Sequence, residues 1–206
     1  MCGRYYVDDD TAKEIEKLVR QVDEKMRQTA VEGILLQTKD IHPSELAPVI
    51  TADGDGLCCR WQRWGFPGFS GKQLIFNARC ESALEKRMFR EGVKSRRIVV
   101  PAAGFYEWNK NKEKNIFYRK GQPVLYMAGL YSRYQDEDRF VILTTAANDS
   151  MKPVHDRMPL VLERDEISKW LIQNQLVETF LRKTPALLER QAEFEQMKLF
   201  SSENSE

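Results

Sequence analysis

The chain has 206 residues, of which 42% are hydrophobic and 31% charged, and its 32 basic and 31 acidic side chains leave a net charge of +1. This length supports one well-formed core and is too short for two ordinary domains, while the composition excludes a disordered or collagen-like chain. No basic start followed by an apolar stretch opens the sequence. No apolar run approaches the roughly 20 residues that cross a bilayer, so a cytoplasmic protein is expected. With charge so nearly balanced, any polyanionic partner has to be held by a local patch.

Met1-Cys2-Gly3-Arg4 places a cysteine second in the chain. If Met1 is removed, Cys2 carries a free α-amine beside its thiol, with ordinary pKa values of about 7.7–8.0 and about 8.5. Such a pair can capture an aldehyde: the amine forms an imine and the thiol closes it to a thiazolidine. Taken alone, position 2 is equally served by any small residue. The other cysteines, Cys58, Cys59 and Cys80, have no metal-site spacing and are expected as free thiols, with one of the adjacent pair buried and one facing out. Neither metal nor cofactor is expected.

After a short strand at Arg4–Val7, the oxygens of Asp8-Asp9-Asp10-Thr11 suit a helix start. Ile15, Leu18, Val19, Val22 and Met26 follow at helical spacing. Leu46 to Thr51 predicts a strand ending at Asp53-Gly54-Asp55-Gly56, with Leu57 to Phe66 as its hairpin partner. One helix is predicted over Glu81–Glu91 and a buried strand over Arg97–Val100. Strands at Ile116–Arg119, Val124–Tyr131 and Phe140–Thr145 and a helix at Asp165–Ile172 complete the pattern. Strands grouped together with helices at intervals predict an α+β fold: one domain with a largely antiparallel, barrel-like sheet flanked by helices, over residues 1–193, and a frayed polar tail over 194–206.

Three further segments can carry chemistry. Asn77-Ala78-Arg79 offers an amide and a guanidinium before a helix. In Gly104-Phe105-Tyr106-Glu107-Trp108, a carboxylate sits among aromatic residues, where it is either paired or shifted in pKa, unless it lies on an exposed edge. His155-Asp156-Arg157-Met158-Pro159 follows the strand ending Thr144-Thr145-Ala146-Ala147-Asn148. It supplies an imidazole for acid–base work and a guanidinium suited to phosphate, although a lone loop histidine is often only structural.

Together these segments, in this order, resemble the SOS response-associated peptidase family, also described as abasic-site processing proteins, over roughly residues 1–175. The resemblance implies a sensor of abasic sites in single-stranded DNA, acting as a monomer. It would link covalently to the lesion through Cys2, with weak lyase activity and self-removal of Met1. The family's catalytic positions fall on Cys2, Asn77, Glu107 and His155. Its DNA contacts fall on Arg4, Arg79 and Arg157 at phosphates, Thr144 near the lesion, and Trp64 and Pro43 beside flanking bases. Lys86, Arg87, Arg90, Lys94, Arg96 and Arg97 form a basic run that suits either a DNA backbone or a solvated helix face. Two other functions also fit parts of the sequence: a glutaminase-like amidohydrolase with Cys2 as N-terminal nucleophile, and a noncatalytic single-strand binder.

Overall fold

The computed structural model describes residues 2–20, 39–54, 56–71 and 73–192. β1 (Tyr5–Val7) leads directly into α1 (Asp9–Arg20). Asp8 sets the start of this helix: its carboxylate accepts from the Thr11 amide at 2.8 Å and the Thr11 hydroxyl at 2.7 Å, satisfying a donor that a first helical turn leaves open. Ile15 and Leu18 are buried on the expected face. Val22, Met26 and the side chain of Val19 lie outside the described residues, as does the predicted tail from residue 194.

β2 (Lys39–Ile41) precedes β3 (Leu46–Asp53) and β4 (Gly56–Trp64). The last two form the predicted hairpin, in register from Leu46 opposite Arg63 to Asp53 opposite Gly56. Phe66 is not part of it, because Gly65 turns the chain at φ +112. Phe66 instead starts β5 (Phe66–Pro67), which pairs with β6 (Leu74–Ile75). A Cβ on Gly65 would stand 2.5 Å from Leu74 Cγ, so both the angle and the space require glycine.

β7 (Asn77–Arg79) runs into α2 (Cys80–Ala83), and α3 (Arg87–Ser95) follows. The single helix predicted over Glu81–Glu91 is therefore two, broken where Lys86 takes an extended conformation. The break lets Ala83 on one helix and Phe89 and Val93 on the other reach the same core. α3 lies close on the sheet at Gly92, where a Cβ would meet Leu130 Cδ1 at 2.8 Å.

The remaining strands are β8 (Arg97–Ala102), β9 (Gly104–Trp108), β10 (Lys114–Tyr118), β11 (Leu125–Tyr134), β12 (Glu137–Ala146), β13 (Arg157–Pro159) and β14 (Val161–Leu162). After a 3-10 turn at Arg164–Glu166 come α4 (Ile167–Ile172), α5 (Val177–Leu181) and β15 (Glu189–Ala192). Among the described residues, β4, β3, β8, β11 and β12 pair in that order, and β12 returns to β4 in parallel, closing a barrel. A second sheet has the order β15-β10-β9-β1-β2. The fold is α+β, as predicted.

β8 and most of β11 and β12 are buried on both faces, which is why they read as apolar runs, while Arg60 and Trp61 of β4 are exposed. On β12, Phe140 and Ile142 join a core with Tyr5, Trp64, Phe105 and Phe117 of the second sheet's side, while Val141 and Leu143 join the helices around Phe89, Trp170 and Phe180. Arg97 is buried, and its guanidinium donates to the carbonyls of Val93, Lys94, Trp170 and Leu171 and to Asn174 Oδ1. It ties α3 to α4, which removes it from the basic run considered for DNA. Among the described residues no helix is long and apolar enough to cross a membrane.

Candidate active site

The site is built where the start of β1 meets β7 and β9. Cys2 is 1% exposed, and its carbonyl accepts a hydrogen bond from Asn77 Nδ2 at 3.0 Å. Asn77 is held in place because β7 lies parallel to β12, with Asn77 opposite Ile142 and Arg79 opposite Thr144. Its Oδ1 is buried and has no hydrogen-bond partner among the described residues. A buried acceptor without a donor is costly in a stable fold, and such atoms concentrate where a ligand supplies the missing group.

β9 brings the carboxylate. Tyr5 pairs with Phe105, and the Tyr106 amide donates to the Arg4 carbonyl at 2.9 Å, so Glu107 follows on the strand beside the N-terminal segment. Glu107 is buried. Burial first, and then the charge of Glu107, push the Cys2 thiol well above its ordinary pKa. The thiol points at the Arg4 carbonyl at 3.9 Å. The charge of the chain terminus pulls its pKa the other way without offsetting burial and Glu107.

His155 lies on the loop between β12 and β13. Asn148 organises that loop: Nδ2 donates to the Pro185 and Ala186 carbonyls at 3.0 Å each, and Oδ1 accepts from the Ser150 amide and hydroxyl. Ala147, Met151 and Val154 anchor the loop in the same apolar cluster that buries Cys2. The Arg157 amide donates to His155 Nδ1 at 2.9 Å, and Asp156 Oδ1 lies at the same distance from that nitrogen. These contacts make opposite demands on Nδ1. The Arg157 amide and the Asp156 carboxylate thus both meet the ring at this nitrogen, the second from a largely exposed side chain.

Of the expected DNA contacts, Arg79 is exposed at the start of α2. Thr144 is buried and donates to the Ala78 carbonyl. Pro43 is half-buried in a turn from His42 to Glu45, whose third residue, Ser44, has φ 78. Arg4 and Arg157 are each held by an acidic side chain, Asp40 and Glu81.

Trp64 is a correction. It is fully buried, its indole N–H donates to the Phe76 carbonyl at 2.9 Å, and its ring packs against Tyr5, Phe76 and Phe140. No face is left for a base, because the last residue of β4 points into the core. Phe69, five residues on, is the residue that sequence analysis passed over: it is 101% exposed in the connection between β5 and β6. The signal was an aromatic residue in Gly68-Phe69-Ser70-Gly71, a turn with no core to reach.

Fold and site define a closed-barrel α+β protein whose second residue, a cysteine, is buried and hydrogen-bonded to a carboxamide, within reach of the charge of a buried glutamate. The sequence matches the SOS response associated peptidase (SRAP) family over residues 1–200, and the chain belongs to that family. It is 30% identical over 185 residues to abasic site processing protein YoaM of Bacillus subtilis, covering 83% of this chain and 79% of that one. With abasic site processing protein YedK of Escherichia coli it shares 34% over 119 residues, 53% of each chain. The fold is that of a Bacteroides thetaiotaomicron protein of known crystal structure, with TM-score 0.76 and 24% identity over 93% of this chain and 91% of that one. A phage-related protein from Bordetella bronchiseptica aligns with TM-score 0.72 and 20% identity over 93% of both chains.

Proposed function

We propose that this protein processes abasic sites in single-stranded DNA by linking itself to the open-chain sugar through Cys2 once Met1 has been removed. The observation that carries this is the docking of Cys2 on Asn77, with the Asn77 acceptor left open beside it. The Cys2 amine attacks C1′ of the aldehyde, and loss of one water gives an imine. The thiol then adds to the imine carbon, the nitrogen takes up a proton, and a five-membered thiazolidine results. Asn77 orients the amine or a sugar hydroxyl. His155 is the acid for opening the sugar ring, and Glu107 moves protons to and from the nitrogen and sulfur.

Without the thiol, the imine can lose the 3′ phosphate by β-elimination, which is a lyase reaction. For removal of Met1, Glu107 is the proton acceptor and the Met1–Cys2 peptide bond is the one hydrolysed.

Intact mass spectrometry tests the proposal. Processed protein incubated with an abasic oligonucleotide should gain the mass of the oligonucleotide less one water, in a heat-stable product. Absence of that product from a sample shown to lack Met1 refutes the linkage, and release of ammonia from glutamine would favour the amidohydrolase.

A further inference from the structure

Two of the three arginines expected at phosphates, Arg4 and Arg157, are occupied by carboxylates, while Arg79 is exposed. Arg4 donates from Nε to Asp40 Oδ2 at 2.9 Å and from Nη2 to the same oxygen. The Tyr106 hydroxyl donates to the other Asp40 oxygen at 2.9 Å, and the Tyr106 ring lies under the Arg4 guanidinium at 5.0 Å. Arg157 meets Glu81 fork to fork, Nη1 to Oε1 at 2.7 Å and Nη2 to Oε2 at 2.8 Å, with Nη2 also reaching the Thr144 carbonyl. Each pair joins distant parts of the chain: Asp40 comes from β2 and Glu81 from α2.

Both acids are ionised at neutral pH. Hydrogen bonds from Arg157 lead in holding Glu81 below its ordinary pKa. At Asp40 burial pulls upward, but the bonds from Arg4 and Tyr106 outweigh it.

A carboxylate engaged in this way takes the donors that a phosphate would use. A phosphate arriving at either arginine exchanges one anion for another, and the pair offers it no net charge. The chain as a whole, at +1, supplies no compensating field.

We propose that Asp40 and Glu81 are specificity-determining residues: they mask Arg4 and Arg157, so that an undamaged strand is held weakly and lasting occupancy comes from the lesion itself. This rests on the single-stranded DNA function proposed above. Without the acid, each arginine would neutralise a phosphate and release its counterion, which steepens the salt dependence of binding by about 0.7 in log K per log salt for a single strand.

The test is binding of an undamaged single-stranded oligonucleotide, followed by fluorescence anisotropy over a series of salt concentrations. Glu81→Gln and Asp40→Asn are each expected to tighten binding about three- to tenfold at low salt. Each should also steepen the slope by about 0.7 and lower the preference for an abasic oligonucleotide by the same factor. Glu81→Asp should behave as the unaltered protein, and the double variant Glu81→Gln/Arg157→Gln should return to its slope. Weaker or unchanged binding with an unchanged slope overturns the proposal, since it would mean the acids only brace the arginines. Glu81 is half-exposed, so Glu81→Gln decides the matter alone if Asp40→Asn fails to fold. A processed protein that neither binds nor crosslinks an abasic oligonucleotide would overturn the underlying function as well. Crosslinking that persists beside unaltered variants overturns the masking role alone.

Discussion

Replacing Asn77 by alanine removes the hydrogen bond that docks Cys2. The donor stands 3.0 Å from the Cys2 carbonyl, in surroundings where Cys2 is 1% exposed. The lost bond leaves a buried acceptor without its partner, which costs about 1–3 kcal/mol. At about 1.4 kcal/mol per factor of ten, the population with the N-terminus in place falls by about five- to 150-fold. The crosslinking rate should fall by the same factor, because the amine reacts only from that position. The assay is single-turnover adduct formation on an abasic oligonucleotide, resolved on a denaturing gel, with loss of Met1 checked by mass for both proteins. Thermal unfolding checks that the variant is still folded at the assay temperature, since Asn77 lies on β7, which pairs with the barrel strand β12. A rate within about twofold of the unaltered protein would refute the docking role.

Cys2→Ala keeps the amine and loses the thiol, so it should give a labile imine and strand cleavage on an abasic oligonucleotide; a heat-stable adduct from this variant rules out the thiazolidine. Gly104→Ala should destabilise the protein by about 1–3 kcal/mol in urea unfolding, because the new Cβ would stand 2.6 Å from the Phe117 carbonyl oxygen and 2.7 Å from the Tyr6 ring; an unchanged midpoint counts against that packing. Phe69→Ala should weaken binding to single-stranded DNA by about 1–3 kcal/mol if the exposed ring stacks on a base, with the fold untouched, and equal affinity would dismiss it. Burial, and then the charge of Glu81, raise the Cys80 thiol to about 12. The folded state therefore keeps a proton that the unfolded state loses above about pH 8.5, and stability should fall by up to about 1.4 kcal/mol per pH unit between pH 9 and 11. Urea unfolding at these pH values, under reducing conditions, should show a shallower loss in Cys80→Ala, and an equal loss would contradict the assignment.

The β3–β4 hairpin was legible because Asp53-Gly54 names its turn and both strands are apolar enough to be buried. The split between α2 and α3 was not, since nothing in Glu81–Glu91 breaks a helix locally; the break serves the approach of Ala83 and Phe89 to one core, a tertiary demand. Trp64 went astray for a similar reason, because which side of a strand a residue faces depends on where the strand ends, and Gly65 ends it. The residues proposed to carry the chemistry, Cys2, Asn77, Glu107 and His155, were all visible as motifs. Their electrostatic partners were hidden by distance along the chain: Asp40 lies 36 residues from Arg4 and Glu81 lies 76 from Arg157. A helical ion pair four residues apart can be read from sequence, but one made by a sheet cannot.

β12 pairs with β4, β7, β11 and β13, so three strands made before it depend on it for their place in the sheet. Cys2 leaves the ribosome first, yet the amide that docks it comes 75 residues later and is itself fixed only when β12 arrives. The amide that orients the terminus is therefore fixed only once most of the barrel has been made, so the start of the chain is among the last parts to reach its place in the fold.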